Sequence, residues 1–135
     1  MIGPAIVLGL GCLGRAVGCG IAGRASHGVM ARVDKNHGKL IGMSVLPSSQ
    51  AIYAFTLVLL MRQAINANTL SPASAIGIGT SVGLAVMVSS IYQGMCVATG
   101  IEGAAKEPGI YGKCCAELGI VESFSLFAFA LLLLG

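Results

Sequence analysis

Two stretches without a charged residue govern what this chain can fold into: Leu40 to Met61, 22 residues, and Leu70 to Ile101, 32 residues. A bilayer core is crossed by about 20 residues of helix, so each run can span one. Ile2 to Met30 is interrupted only by Arg15 and Arg24, and Cys114 to Gly135 only by Glu117 and Glu122. The pattern predicts an all-α membrane protein with four transmembrane helices, at about 2–31, 39–65, 73–104 and 112–134.

Composition excludes the soluble classes. Charged residues make up 10% of the chain, against roughly 25% in soluble domains, and the mean hydropathy is +0.89. A water-soluble enzyme does not have this composition. The net charge of +3 is scattered, with no basic face for nucleic acid. No Lys or Arg precedes the first apolar run, which argues against a secretory signal and for an N-terminus that is mature structure. The five cysteines, Cys12, Cys19, Cys96, Cys114 and Cys115, form no CxxC pair and are expected to be small packing residues.

An internal repeat organises the chain. Shifting the first half onto the second by 74 positions, without a gap, pairs Gly3 with Gly77, Gly9 with Gly83, Leu10 with Leu84, Gly20 with Gly94 and Lys39 with Lys113. The same register sets Tyr53-Ala54-Phe55 on Phe127-Ala128-Phe129, and Leu57, Leu59 and Leu60 on Leu131, Leu133 and Leu134. Duplicated helical hairpins in parallel orientation explain this. The first hairpin is residues 1–65, the loop 66–73, and the second hairpin 74–135. In each, a Gly-, Ala- and Ser-rich helix is expected inside and a Leu- and Phe-rich helix against lipid. The basic residues of loops 32–39 and 104–113, against none in 66–73, orient those loops to the cytoplasm and both termini outside.

Glu122 carries the strongest chemical signal. A carboxylate at membrane depth costs about 2.5–3.5 kcal/mol on insertion scales and is a functional candidate by default. The position equivalent to it in the first hairpin is Ser48, so the duplication keeps one carboxylate. Nearby in sequence, Pro47 removes a backbone donor and frees an upstream carbonyl. Leu46, Ser49, Gln50 and Tyr53 recur at i, i+3, i+4 and i+7, one face of a helix. Gln93 is the other amide within an apolar span. One carboxylate, two amide oxygens, a hydroxyl and a freed carbonyl form an oxygen-only set suited to a hard cation. Hydrogen-bonded glue between helices is the competing account of the Ser and Gln residues.

Through the duplicated hairpins, LPSSQAIYAF, IYQGM and GIVESFSLFAF, nearly the whole chain resembles the membrane rotor subunit (K, or c-type proteolipid) of bacterial V-type and A-type rotary ATPases. The resemblance implies an oligomeric ring and an ion carrier at Glu122. It also implies an Na+ site of Leu46, Ser49, Gln50, Gln93 and Glu122, with Tyr53 bonding the carboxylate. The family's LPGTQ reads LPSSQ here, which keeps the hydroxyl, and H+ is the alternative ion. Implied partners are identical copies, a membrane stator subunit bearing an Arg, central stalk subunits and lipid. Nothing in the chain suggests nucleotide binding. A small four-helix cation or drug exporter is a weaker fit, since it would carry its Glu in the first helix without duplication; a purely structural proteolipid is the third reading.

Other motifs are read as structural. Gly9 to Gly14 spells GxGxxG, but the stretch repeats as another glycine-bearing apolar helix rather than a βαβ unit. Arg15, deep in the first helix, is expected to snorkel or meet lipid in the ring lumen. Arg24, Arg32 and Arg62 are expected to reach an interface, His27 and His37 to sit at helix ends, and Glu117 to be an interfacial anchor or part of an ion path.

Overall fold

In the computed structural model, which describes the backbone of residues 1–134 and the side chains of 1–130, the chain is helical nearly throughout. Helix α1 covers Ile2–Met30, α2 His37–Ser44, α3 Ser49–Asn66, α4 Pro72–Lys106 and α5 Tyr111–Leu134. Gly135 and the side chains of Leu131, Leu133 and Leu134 used in the repeat lie outside the described residues. Among the described residues, three stretches are long and apolar enough to cross a bilayer: Ile2–Met30, His37–Asn66 taken across its break, and Pro72–Lys106.

The element ends follow from local chemistry. Ser71 caps α4 by accepting the Ser74 N–H at 3.1 Å, with Pro72 in the first turn, where its missing N–H is no loss. Asn36, in the left-handed region at φ 65°, turns the chain into α2 and accepts the N–H groups of Lys39 and Leu40. Helix α2 therefore begins at His37, and the loop expected over 32–39 is shorter. At the other loop expectation, 104–113, α4 continues to Lys106 and a 3-10 turn, Pro108–Ile110, leads into α5. Across these two loops Lys39 Nζ sits 5.6 Å from the centre of the Tyr111 ring.

The helix expected over 39–65 is not continuous. It breaks into α2, a 3-10 turn at Leu46–Ser48, and α3. Pro47 has no N–H to donate and disfavours the α conformation at Leu46, so the ladder is interrupted there.

Packing brings α1 and α4 together in parallel. Gly3 lies against Ala75 and Gly79, Gly14 against Met87, and Gly18 against Ser90 and Gly94; a Cβ on any of the three glycines would run into the partner's backbone. Partners are thus 72 to 76 positions apart along the chain. Antiparallel to α1 run α2 and α3, and antiparallel to α4 runs α5. One apolar cluster joins Ala22, Val29, Leu40, Met43, Val97, Ile101, Ala104 and Leu118. A second joins Val7, Leu57, Met61 and Ala75. Between them, at mid-helix, lies a band of buried polar side chains: Gln50, Ser89, Ser90, Gln93 and Ser125.

All five cysteines are free, as expected; Cys114 and Cys115 pack partly buried against the first apolar cluster, whereas Cys12 and Cys96 are exposed. Glycine occupies the tight α1/α4 contact, which leaves the larger thiols to the flanks. Arg15 and Arg62 are exposed, as is Glu117, and Arg24 Nε donates to the Gly20 carbonyl at 3.2 Å.

Gly18→Ala is expected to destabilise the bundle by about 1–3 kcal/mol, the usual cost of overpacking. Gly28→Ala, where a Cβ meets open space, should be neutral or slightly stabilising. Thermal unfolding of the two variants in detergent, followed by circular dichroism, compares them.

Candidate ion site

The site lies where α3, α4 and α5 meet, beside the break. Glu122 is half-buried on α5 and its Oε1 accepts the Tyr53 hydroxyl of α3 at 2.9 Å. Tyr53 is further held by its ring against Phe129, 6.3 Å between centroids. The break crosses the predicted face Leu46, Ser49, Gln50, Tyr53, with Leu46 in the 3-10 turn and the other three on α3. Ser49 Oγ lies 3.1 Å from the Leu46 carbonyl and 3.2 Å from Gln50 Oε1.

Both glutamines are fully buried, at 0% exposure. Gln93 Nε2 donates to the Leu118 carbonyl, one turn before Glu122 on α5, at 3.3 Å, and its Oε1 has no partner. Gln50 Nε2 likewise has none. A buried amide atom left without a hydrogen bond costs about 1–3 kcal/mol, so two in one junction mark a place where a further ligand would be stabilised. Rotating an amide by half a turn exchanges its oxygen and nitrogen, so either glutamine can present an oxygen.

Two residues passed over in the sequence complete the junction. Ser89 Oγ donates to the Val121 carbonyl at 3.0 Å, and Ser90 Oγ to the Pro47 carbonyl at 3.1 Å. The Ser-Ser pair ahead of IYQGM was visible, but not which carbonyls it would seek.

An apolar helical bundle with one carboxylate at mid-helix, tied to a tyrosine and flanked by buried amides, has the architecture of a membrane proteolipid. The profile of the ATP synthase C-subunit family matches residues 2–61 and again 76–134, and the chain belongs to that family. Among curated relatives, it is 28% identical to the A-type ATP synthase subunit K of Methanocaldococcus jannaschii, over 98% of this chain and 59% of that protein's length. It is 23% identical to the V-type sodium ATPase subunit K of Enterococcus hirae, over 88% of this chain and 78% of that protein. These relationships make it a c-type proteolipid of the V/A-type ATPases.

If the glutamines were purely structural glue, removing each amide would cost the bundle about 1–2 kcal/mol. Gln93→Leu and Gln50→Leu each remove one hydrogen bond but also one unpaired buried polar atom, and are instead expected to leave stability within about 1 kcal/mol of the parent or to raise it. Their thermal midpoints in detergent are the measurement.

Proposed function

We propose that the chain is the ion-carrying subunit of a rotor ring in a V-type or A-type rotary ATPase, with Glu122 taking Na+ across the membrane as the ring turns. The observation that carries this reading is the Glu122 carboxylate held by Tyr53 at mid-helix, beside two buried glutamines that each keep an amide atom unpaired. Leu46, Ser49, Gln50, Gln93 and Glu122 supply the oxygens, and Tyr53 orients the carboxylate. A cation-bound Glu122 crosses lipid neutralised, whereas a bare carboxylate facing hydrocarbon would stall. The subunit does no catalysis itself. A stator subunit with an arginine receives the emptied carboxylate, and stalk subunits meet the loops around 32–39 and 104–113. Those loops face the cytoplasm, and α5 is the fourth span. The sodium ATPase named among the relatives supports the choice of Na+ over H+.

Carbodiimide labelling of Glu122 tests the ion. Sodium is expected to protect at fixed pH, and Glu122→Gln to abolish labelling. Protection by raised pH alone, with none from sodium, would identify a proton carrier.

The packing of α1 on α4 supports a ring. The edge of α1 with Gly3, Val7, Leu10, Gly14 and Gly18 meets the edge of α4 with Gly79, Gly83, Met87, Ser90 and Gly94. Shifted by the repeat, the first edge becomes Gly77, Ser81, Leu84, Val88 and Tyr92, and the second Ala5, Gly9, Leu13, Ala16 and Gly20. All ten are exposed. A Cβ on Gly9, Gly20 or Gly77 would meet nothing, although a Cβ on Gly83, Gly94 or Gly3 would meet a neighbouring helix. A second copy docked by the same step covers these faces head to tail, the geometry that closes into rings. With the native cysteines replaced by alanine, Gly9→Cys combined with Ser81→Cys is expected to crosslink into a ladder beyond the dimer. A dimer alone would instead mean a two-fold contact.

A further inference from the structure

Ser90 is fully buried, and its hydroxyl donates to the carbonyl of Pro47, 43 positions away, in the centre of the helix break. On its other side, the Ser90 carbonyl packs where Gly18 of α1 has no side chain. Its neighbour Ser89 donates to the carbonyl preceding Glu122. Consecutive helical positions point about 100° apart, so this pair reaches two different helices. Ser89 holds the carboxylate helix, and Ser90 holds the break.

We infer that Ser90 is a positioning residue for the cation, fixing the Leu46–Gln50 turn so that its oxygens face the ion. The inference rests on the ion-site reading proposed above. Flanking Pro47 on either side are the Leu46 carbonyl and the Ser49 and Gln50 side chains. The turn lacks the Pro47 N–H that would tie it into a helix. Among the described residues, Ser90 supplies the one side-chain hydrogen bond to the backbone of Leu46–Ser48 from a helix not continuous with it; the other side-chain bond there is the local one of Ser49 to the Leu46 carbonyl. The bond between Tyr53 and Glu122 is anchored separately, on α3, beside buried Ala54 and Leu57. Loss of the Ser90 hydroxyl therefore loosens the cation's oxygen ligands and leaves the carboxylate and its tyrosine in place.

The test uses the assembled protein in detergent and reads two quantities: the sodium concentration that half-protects Glu122 from carbodiimide, and the pH midpoint of labelling without sodium. Ser90→Ala is expected to raise the first roughly tenfold, as when residues that orient metal ligands are removed, and to leave the second unmoved. Ser90→Cys, close in size and a weak donor, should fall between Ser90→Ala and the parent. An unshifted sodium requirement in both variants overturns the inference, and so does a parallel shift of both quantities, which would make Ser90 a general brace of the bundle. Absence of sodium protection in the parent protein overturns the sodium reading itself and takes this inference with it.

Discussion

A carboxylate set among apolar helices must be discharged, and the rest of the bundle is arranged around that requirement. Glu122 receives one hydroxyl, from Tyr53, while Phe124 and Phe127 on the same helix are largely exposed for lipid or a neighbouring copy. One neutral donor does not balance a full charge in a low-dielectric setting, where desolvation costs several kcal/mol per ion. A proton or a small cation does. On the proposed reading the unpaired amide atoms of Gln50 and Gln93 are the complement to that need: polar capacity left open for an ion that comes and goes.

The backbone geometry makes this possible. Because Gly3, Gly14 and Gly18 have no side chains, α4 sits hard against α1 and occupies the middle of the bundle. From there it reaches both outer helices, which is why Gln93, Ser89 and Ser90 all lie on α4 yet bond to α5 or to the break. The polar band falls between the two apolar clusters, so water is kept from it on both sides.

Much of this was legible in the residues. The sparsely charged runs located three of the long spans, and the resemblance to the rotor-subunit family, rather than spacing alone, anticipated the contact between Tyr53 and the carboxylate. The repeat marked only some of the glycines that matter and none of their partners: it equates Gly3 with Gly77 and Gly20 with Gly94, whereas the contacts are Gly3 with Gly79 and Gly18 with Gly94, and Gly14, Gly18 and Gly79 have no glycine equivalent. Equivalence under a repeat is not contact. Ser89 and Ser90 were illegible for a local reason. A hydroxyl in a membrane helix ordinarily bonds its own helix one turn back, as Thr56, Thr80 and Ser81 do here, and no nearby residue reveals that another helix brings a better carbonyl. Of the cysteines, Cys114 and Cys115 pack as expected while Cys12 and Cys96 are exposed, because the closest contacts accept only glycine.

On the proposed reading, the break itself is the feature that separates a carrier from a merely polar cluster. In an unbroken helix every carbonyl is engaged, and in hydrocarbon an orphaned one is costly. Pro47 breaks the ladder for a single turn, and the carbonyls at that turn are covered by hydroxyls, Leu46 by Ser49 and Pro47 by Ser90. The Leu46 carbonyl also accepts the Ser49 backbone N–H; on the proposed reading, rotation of the Ser49 hydroxyl leaves the carbonyl's second lone pair to an ion, with the Ser90 bond holding the turn. A purely structural cluster would gain from pairing every atom permanently; on the proposed reading, the unpaired amide atoms of Gln50 and Gln93 are what an ion that comes and goes would need.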